Sequence, residues 1–98
     1  MINLNIALNN LTIETKKLRN FNEPMSNKEI ECIPGIGEKN GIKLRKKNYD
    51  KADVLLGQFL ILKKNEELFI DYLKDIGINR TCSKQCFDAL KSWCDEFL

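Results

Sequence analysis

Apolar side chains recur along this chain at the three- and four-residue spacing of helices, and no segment alternates as strands do. The clearest pattern lies near the C-terminus, where one helical stripe comprises Cys86, Phe87, Leu90, Trp93, Cys94 and Phe97. Thr81 or Ser83 is expected to begin that helix. The pattern predicts an all-α fold, a compact bundle of five or six short helices.

Capping residues and a proline predict two short helices in the first third of the chain. Thr15 is placed to cap a helix that runs to about residue 21 and stops before Pro24, because proline has no backbone N–H to donate. Ser26 and Glu29 have the spacing of a capping box, which predicts a helix as far as residue 32 or 33. Residues 1–13 show no firm period, so we expect a flexible N-terminal extension followed by one helical domain over residues 14–98.

Termination signals define two further helices. A helix is predicted over Glu38–Lys47, with Ile42 facing inward and with Asn48 able to adopt the left-handed conformation that ends it. Asn65 is expected to cap another helix, which Gly77 terminates.

A helix between these two is apolar on every side except at Gln58. It is expected to be capped by Asp50 and to run to about Leu62. A surface helix ordinarily has one apolar stripe, so a helix that is apolar all round needs cover on every side. Gly57 costs about 1 kcal/mol relative to alanine inside a helix, and close approach by a neighbour would compensate. The helix is either the central core helix or a surface for self-association or a partner, and we favour the second.

Positive charge is concentrated in the first half of the chain. Residues 1–49 carry nine Lys or Arg against five Asp or Glu, a balance of +4, whereas residues 50–98 carry seven against nine, a balance of −2. The two balances sum to the net charge of +2. A basic half of this kind indicates an anionic partner.

The sequence also argues against membrane and metal chemistry. No apolar run reaches the roughly 18–20 residues of a membrane span, and the N-terminus lacks the features of a secretory signal, so we expect an intracellular protein without membrane insertion. Its four cysteines should then be reduced. A zinc site at Cys82, Cys86 and Cys94 is the alternative to core packing. Without a His or a Cys-x-x-Cys pair, we expect no metal.

The segment from Ile33 to Leu44 resembles the helix-hairpin-helix pattern of hydrophobe, Pro, Gly, hydrophobe, Gly, three variable residues, a small residue and a later hydrophobe. Gly35 and Gly37 allow unusual dihedral angles and leave no Cβ between the backbone and a ligand. The first amides of the helix after Gly37 have no internal partner and, with the positive end of the helix dipole, form a site for a phosphate oxygen. Ile36 is expected to fill the gap between the two helices, and Gly41 to let them pack closely.

Lys39 and Lys43 lie one turn apart on that helix and would add ion pairs to neighbouring phosphates. Such contacts position a protein on a duplex but carry no sequence information. The alternative is that Pro34–Gly37 is only a tight turn between helices. A glycosylase would need a base-flipping pocket and a nuclease clustered carboxylates, whereas Glu66–Glu67 and Asp95–Glu96 are more simply solvated faces. We therefore predict a binding protein without catalytic residues, cofactor or small-molecule substrate.

From about residue 16 onward the chain resembles the barrier-to-autointegration factor family, small chromatin proteins of animal nuclei. The matching segments are Glu23-Pro24-Met25, Gly35-Ile36-Gly37-Glu38, Asp50-Lys51-Ala52, Val54–Lys64, Trp93-Cys94-Asp95 and Phe97-Leu98. The long run and the C-terminus are more specific than the hairpin motif alone. The chain departs from the family pattern in its N-terminal extension, in a loop at Gly77–Cys82 that is one residue shorter, and at Pro34.

The resemblance implies a nuclear homodimer that bridges double-stranded DNA without sequence preference and docks LEM-domain proteins of the inner nuclear envelope. It implies DNA contacts at Lys17, Gly35, Ile36, Gly37, Glu38, Lys39, Lys43 and Arg80. It implies a subunit junction, near the LEM groove, at Gly57, Leu60 and Ile61. It also implies release from DNA by phosphorylation, for which the nearest candidates are Thr12 and Thr15.

Two other functions stay open at this point. A helical protein-interaction adaptor with a vestigial hairpin would not bind DNA, and an accessory fragment of a repair enzyme would bind DNA as part of a larger protein. Salt-dependent binding to unrelated duplexes would separate the adaptor from a DNA-bridging protein.

Overall fold

Helices make up the fold of the described residues. The computed structural model describes Phe21, residues 23–25 and residues 27–98. A short 3₁₀ helix, Ile30–Cys32, precedes four α-helices: α1 (Glu38–Arg45), α2 (Ala52–Ile61), α3 (Glu66–Ile76) and α4 (Arg80–Phe97). The prediction of an all-α bundle of short helices is confirmed. The helix expected from Thr15 and the extension over residues 1–13 lie outside the described residues.

Both predicted ends of α3 are confirmed. Asn65 Oδ1 accepts a hydrogen bond from the Leu68 N–H at 3.0 Å, and Gly77 ends the helix in the left-handed conformation with φ of 107°. Asn48 is also left-handed, with φ of 70°. Because residues 46–48 already form a turn, α1 ends at Arg45 and not at Lys47.

An isolated antiparallel bridge between Glu29 and Lys51 overturns the capping-box prediction. Next to this bridge, the Ile30 N–H donates to the Asp50 carbonyl at 3.1 Å. Glu29 is therefore extended, and only the three-residue 3₁₀ helix follows it. The helix predicted to start after Ser26, a residue outside the described part, was wrong.

The same bridge moves the start of α2. Lys51 is extended, and the Ala52 N–H donates to the Lys28 carbonyl at 2.9 Å. Lys51 therefore occupies the N-cap position that was predicted for Asp50, and it makes no side-chain capping bond. Pairing with a distant segment has overridden a local capping preference.

Helix α4 begins earlier than predicted. Asn79 is its N-cap and accepts a hydrogen bond at Oδ1 from the Cys82 N–H at 2.8 Å. Thr81 and Ser83 thus lie within the first turn and do not begin the helix. Ser83 is buried, and its hydroxyl donates to the Ile78 carbonyl at 3.3 Å. The predicted apolar stripe of α4 is buried except at Phe97.

The inward orientation predicted for Ile42 was also wrong. Helix α1 buries Gly41 and Leu44, which lie three residues apart and share one face of the helix. Ile42 points away from that face, and its side chain is 49% exposed.

An aromatic cluster joins α2, α3 and α4. Phe59 of α2 packs edge-to-face on Phe69 of α3, with ring centroids 5.3 Å apart. Phe87 of α4 lies 5.5 Å from Phe59 and 6.2 Å from Phe69, and all three rings are buried. Such aromatic pairs stabilise by about 0.5–1.5 kcal/mol beyond their area burial. Farther along α4, the Trp93 indole N–H donates to the Glu23 carbonyl at 2.8 Å, which ties the segment before the 3₁₀ helix to α4.

The described residues offer neither a membrane-spanning helix nor a cluster of metal ligands. No described helix is both long and apolar enough to cross a bilayer. Cys86 and Cys94 are buried and Cys32 is exposed, and residues 27–98 and the other described positions contain no group of three possible metal ligands.

An ion-pair network lies over the bridge and fastens the 3₁₀ helix to α1 and α2. Arg45 donates to Glu31 at 2.7 and 2.9 Å and to Glu29 at 3.2 Å, and Lys51 donates to the other Glu29 oxygen. The Lys51 ammonium and then the Arg45 guanidinium hold the pKa of the Glu29 carboxyl below its ordinary value. Because this pKa is lowered by folding, the stabilisation is present above the unfolded-state pKa and is lost as the pH falls through the folded-state pKa.

We predict that Glu29→Gln lowers the urea midpoint of unfolding at about pH 7 and that the difference from the unmodified chain narrows as the pH falls through the lowered folded-state pKa of the Glu29 carboxyl, because a protonated carboxyl, like the amide, carries no charge. Glu96→Gln, at an exposed position of α4, is the matched control and should leave the midpoint unchanged. Equal midpoints at neutral pH, or a difference that persists in acid, would contradict the role given to Glu29.

Candidate nucleic-acid interface

The hairpin before α1 is a tight β-turn. Pro34 and Gly35 occupy its central positions, and the Ile36 N–H closes it by donating to the Ile33 carbonyl at 2.9 Å. Gly35 has φ of 88°, which is the left-handed value that a type II turn requires at its third residue, where glycine is favoured. The Pro-Gly pair therefore specifies this turn locally, as its sequence predicts.

The space around Gly35 shows why this residue is glycine. A Cβ at this position would collide with the carbonyl oxygen of Cys82 and would lie 3.0 Å from Gln85 Cβ and 3.1 Å from the Cys86 nitrogen. The missing side chain thus makes room for the first turns of α4. The place of the missing Cβ therefore faces α4, and the predicted contact of the Gly35 main chain with a ligand stays a prediction.

Gly37 is the residue that leaves the backbone open. It is exposed and extended, with φ of −94°, and no atom lies within 4 Å of the place where its Cβ would be. The first hydrogen bond of α1 runs from the Gly41 N–H to the Gly37 carbonyl at 2.8 Å, and the N-cap residue, Gly37, has no side chain with which to cap the helix. The N–H groups of residues 37–40 precede that bond, so they are free of intrahelical partners.

Buried side chains fix the position of this helix end. Ile36 is fully buried, as predicted, so any contribution of Ile36 to ligand binding comes from its main chain or from holding the turn. Gly41 is also buried, and the space of its missing Cβ is filled by the Glu31 carboxyl group. The close packing predicted at Gly41 is therefore made by a side chain of the 3₁₀ helix.

The side chain of Asn40 closes the turn from the other side. Its Nδ2 donates to the Gly35 carbonyl at 3.2 Å. Position 40 is one of the three variable residues of the helix-hairpin-helix pattern. An asparagine five residues after a turn glycine, in the first turn of a helix, is a weak signal that could have found this bond.

The connection between α3 and α4 lies against α1. Lys43 Nζ donates to the Gly77 carbonyl at 2.7 Å, so this ammonium caps the C-terminal end of α3, and its predicted contact with a phosphate stays a prediction. Three residues later, Arg80 begins α4 and lies 3.7 Å from Glu67 in an exposed ion pair. A groove of about 210 Å³ beside Arg80 is also lined by Ile70, Asp71, Lys74 and Asn79.

The hairpin and the start of α4 therefore form one surface, although they are far apart in sequence. Gly35 packs on residues 82–86 of α4, and Lys43 holds Gly77. Lys39 is exposed in the first turn of α1. Glu38 is exposed beside it, so a contribution of Glu38 to anion binding would come from its main-chain N–H. Lys17, Thr12 and Thr15 lie outside the described residues, and their roles stay predictions.

Helix α2 has two different sides. Leu55, Leu56 and Phe59 are buried in the core, whereas Val54, Leu60 and Ile61 are exposed by 41%, 40% and 72%. Apart from the backbone of its own helix and its chain neighbours, no described atom lies within 4 Å of the place where a Cβ of Gly57 would be. The helix thus serves the core on one side and leaves an apolar face, at Val54, Gly57, Leu60 and Ile61, uncovered within the described residues.

The fold and this surface define a small all-helical protein with a helix-hairpin-helix turn built against the start of its last helix. A family model described as Barrier to autointegration factor matches residues 12–97. The chain therefore belongs to the barrier-to-autointegration factor family. The resemblance predicted from about residue 16 is confirmed, and the match begins a few residues earlier.

Individual relatives agree with this assignment. Barrier-to-autointegration factor A of Xenopus laevis is 52% identical over 86 residues, which cover 86% of this chain and 96% of that protein. Barrier-to-autointegration factor of Homo sapiens is 50% identical over 86 residues, with 86% and 97% covered. Barrier-to-autointegration factor 1 of Caenorhabditis elegans is 48% identical over 77 residues, with 78% and 86% covered.

The two hairpin glycines should respond differently to substitution. We predict that Gly35→Ala lowers the free energy of unfolding by about 1–3 kcal/mol, because alanine is strained at this φ and its Cβ meets the Cys82 carbonyl. Gly37→Ala should cost less than about 1 kcal/mol, the usual penalty at an N-cap. Urea denaturation of the two variants tests this difference. Equal losses, or a larger loss at Gly37, would contradict the packing described for Gly35.

Proposed function

We propose that this protein binds double-stranded DNA without sequence preference and that the main-chain N–H groups at the start of α1 hold a backbone phosphate. The open backbone at Gly37 carries the proposal, together with the N–H groups of residues 37–40, which have no intrahelical partner. Oriented N–H groups at a helix N-terminus favour an anion through both hydrogen bonding and the helix dipole. Membership of the barrier-to-autointegration factor family supports DNA as the source of that anion.

The surroundings of this helix end favour phosphate contact over base reading. Lys39 is exposed on the first turn of α1, and Arg80 begins α4 on the adjoining segment. Contacts from main-chain N–H groups and long cations reach phosphate and sugar, which are the same in every sequence. Lys43 supports the surface by holding Gly77 with one of its three ammonium N–H donors, which leaves the other two available to a phosphate.

A homodimer would give the protein two such surfaces. The uncovered apolar face of α2, at Val54, Gly57, Leu60 and Ile61, supports self-association, because a second copy would remove these side chains from water. A dimer with two hairpins would bridge two duplexes. On the family resemblance we extend the proposal to a chromatin protein of the nucleus that docks LEM-domain proteins beside the same junction, with a binding role and no catalysis. A protein-interaction adaptor that does not bind DNA is the alternative.

The DNA-binding proposal predicts a defined response to salt and to two substitutions. The chain should bind unrelated duplexes equally, and log K should fall linearly with log salt, by about 0.9 for each phosphate neutralised. Lys39→Ala should reduce that slope by about 0.9. Gly37→Glu should reduce affinity at least about tenfold, because a carboxylate would stand where the phosphate binds, while the extended backbone accepts the side chain.

Two control variants accompany this experiment. Lys91→Ala removes a cation from the middle of α4 and Ser92→Glu adds a carboxylate there, both at exposed positions. Lys91→Ala should change the salt slope less than Lys39→Ala does. Ser92→Glu should lower the affinity less than Gly37→Glu does. DNA binding that does not depend on salt, or the absence of DNA binding, would contradict the phosphate contacts and favour the adaptor function.

The dimer proposal is tested at Ile61. Ile61→Glu places a charge in the apolar face of α2 and should convert a sedimenting dimer into a monomer that still binds one duplex but no longer holds two labelled duplexes together. Ile42→Glu, at the exposed isoleucine of α1, should leave the dimer intact. A dimer that survives Ile61→Glu, or an unmodified chain that sediments as a monomer, would contradict this surface.

A further inference from the structure

We propose that Asn40 is a positioning residue of the phosphate site. Its side chain fixes the peptide group between Gly35 and Ile36 and satisfies the carbonyl of that group with a hydrogen bond. The inference rests on the DNA-binding function proposed above. It concerns a side chain that the helix-hairpin-helix pattern leaves variable.

The peptide group in question is bonded at both of its ends. Its N–H, from Ile36, donates to the Ile33 carbonyl at 2.9 Å. Its carbonyl, from Gly35, accepts from Asn40 Nδ2 at 3.2 Å. Gly35 has φ of 88° and no side chain to restrain it, so the bond from Asn40 adds to the turn hydrogen bond and the packing on α4 in holding this peptide group.

This peptide group is directly followed by the residues that lead into α1. Only Ile36, which is buried, separates it from Gly37 and the free N–H groups. A rotation of the peptide group would be passed on to those N–H groups, whose direction decides whether they converge on one oxygen. Asn40 is itself the third residue of α1, so its bond joins the helix to the turn that precedes it.

The chemistry of the Asn40 side chain fits an anionic ligand. The helix dipole alone would favour a carboxylate in the first turn, but a carboxylate cannot donate to the Gly35 carbonyl. An unpaired carbonyl oxygen near the site would repel a phosphate oxygen. An amide donates a hydrogen bond and adds no negative charge, so it satisfies the carbonyl and leaves the site attractive to an anion.

The test compares Asn40→Leu and Asn40→Asp with the unmodified full-length chain on one duplex across a salt series. Asn40→Leu should weaken binding about fivefold at every salt concentration, the effect of one lost hydrogen bond, with an unchanged salt slope. Asn40→Asp should weaken binding further at low salt, and the excess over Asn40→Leu should shrink as salt rises, because only charge repulsion is screened. Asn27→Asp makes the same charge change at an exposed position and controls for net charge.

The outcomes separate this inference from the function on which it rests. Unmodified chain that does not bind the duplex contradicts both. Unmodified chain that binds, with Asn40→Leu of equal affinity, contradicts the positioning role alone. Equal deficits for the leucine and aspartate variants at every salt concentration would show a merely structural effect of position 40 and would also overturn the inference.

Discussion

The close approach of the hairpin to the start of α4 is the contact on which the other features of the surface depend. It requires a residue that has no Cβ and accepts a positive φ, and Gly35 meets both conditions against the Cys82 carbonyl. Because the turn packs against α4, the orientation of the N-terminus of α1 relative to α4 is fixed. The same contact brings the α3–α4 connection beside the hairpin, although the two segments are more than forty residues apart in the chain.

The two hairpin glycines thus have separate tasks. Gly35 is required by the fold, whereas Gly37 keeps the helix end open and has space where a side chain would be. Substitutions at Gly35 disturb the packing of the turn on α4, so their effect on ligand binding cannot be separated from their effect on the fold. Gly37 is therefore the informative place for substitutions that address phosphate binding.

A comparable division of tasks is seen along α2. One side of this helix meets the aromatic cluster of Phe59, Phe69 and Phe87, and the other leaves Leu60 and Ile61 exposed. A core helix and an association surface were the two alternatives expected for this segment, and in the described residues the helix has one buried side and one exposed apolar side. The uncovered side is what the proposed dimer would bury.

Prediction from the sequence succeeded where structure is decided locally. The cap at Asn65, the left-handed Gly77 and the Pro34-Gly35 turn follow from the conformational preferences of a few neighbouring residues. It failed where distant segments meet. Pairing of Glu29 with Lys51 moved two helix starts, and the direction of Ile42 depended on which face of α1 meets the 3₁₀ helix.

The same distinction applies to the candidate site. The hairpin motif was visible in the sequence, but its support was not. The bond from Asn40 to Gly35, the bond from Lys43 to Gly77 and the packing of the turn on α4 all depend on tertiary geometry. Periodicity carries no information about such contacts.

In the function proposed above, main-chain N–H groups at the start of α1 hold a phosphate oxygen of duplex DNA. Amide ¹H–¹⁵N spectra of the full chain, recorded while a short duplex is added, follow these N–H groups one by one. We expect large downfield proton shifts for Gly37, Glu38 and Lys39, because these N–H groups gain a charged acceptor, and little change for α2. Saturating DNA that leaves these three amides unmoved while shifting another surface would contradict it.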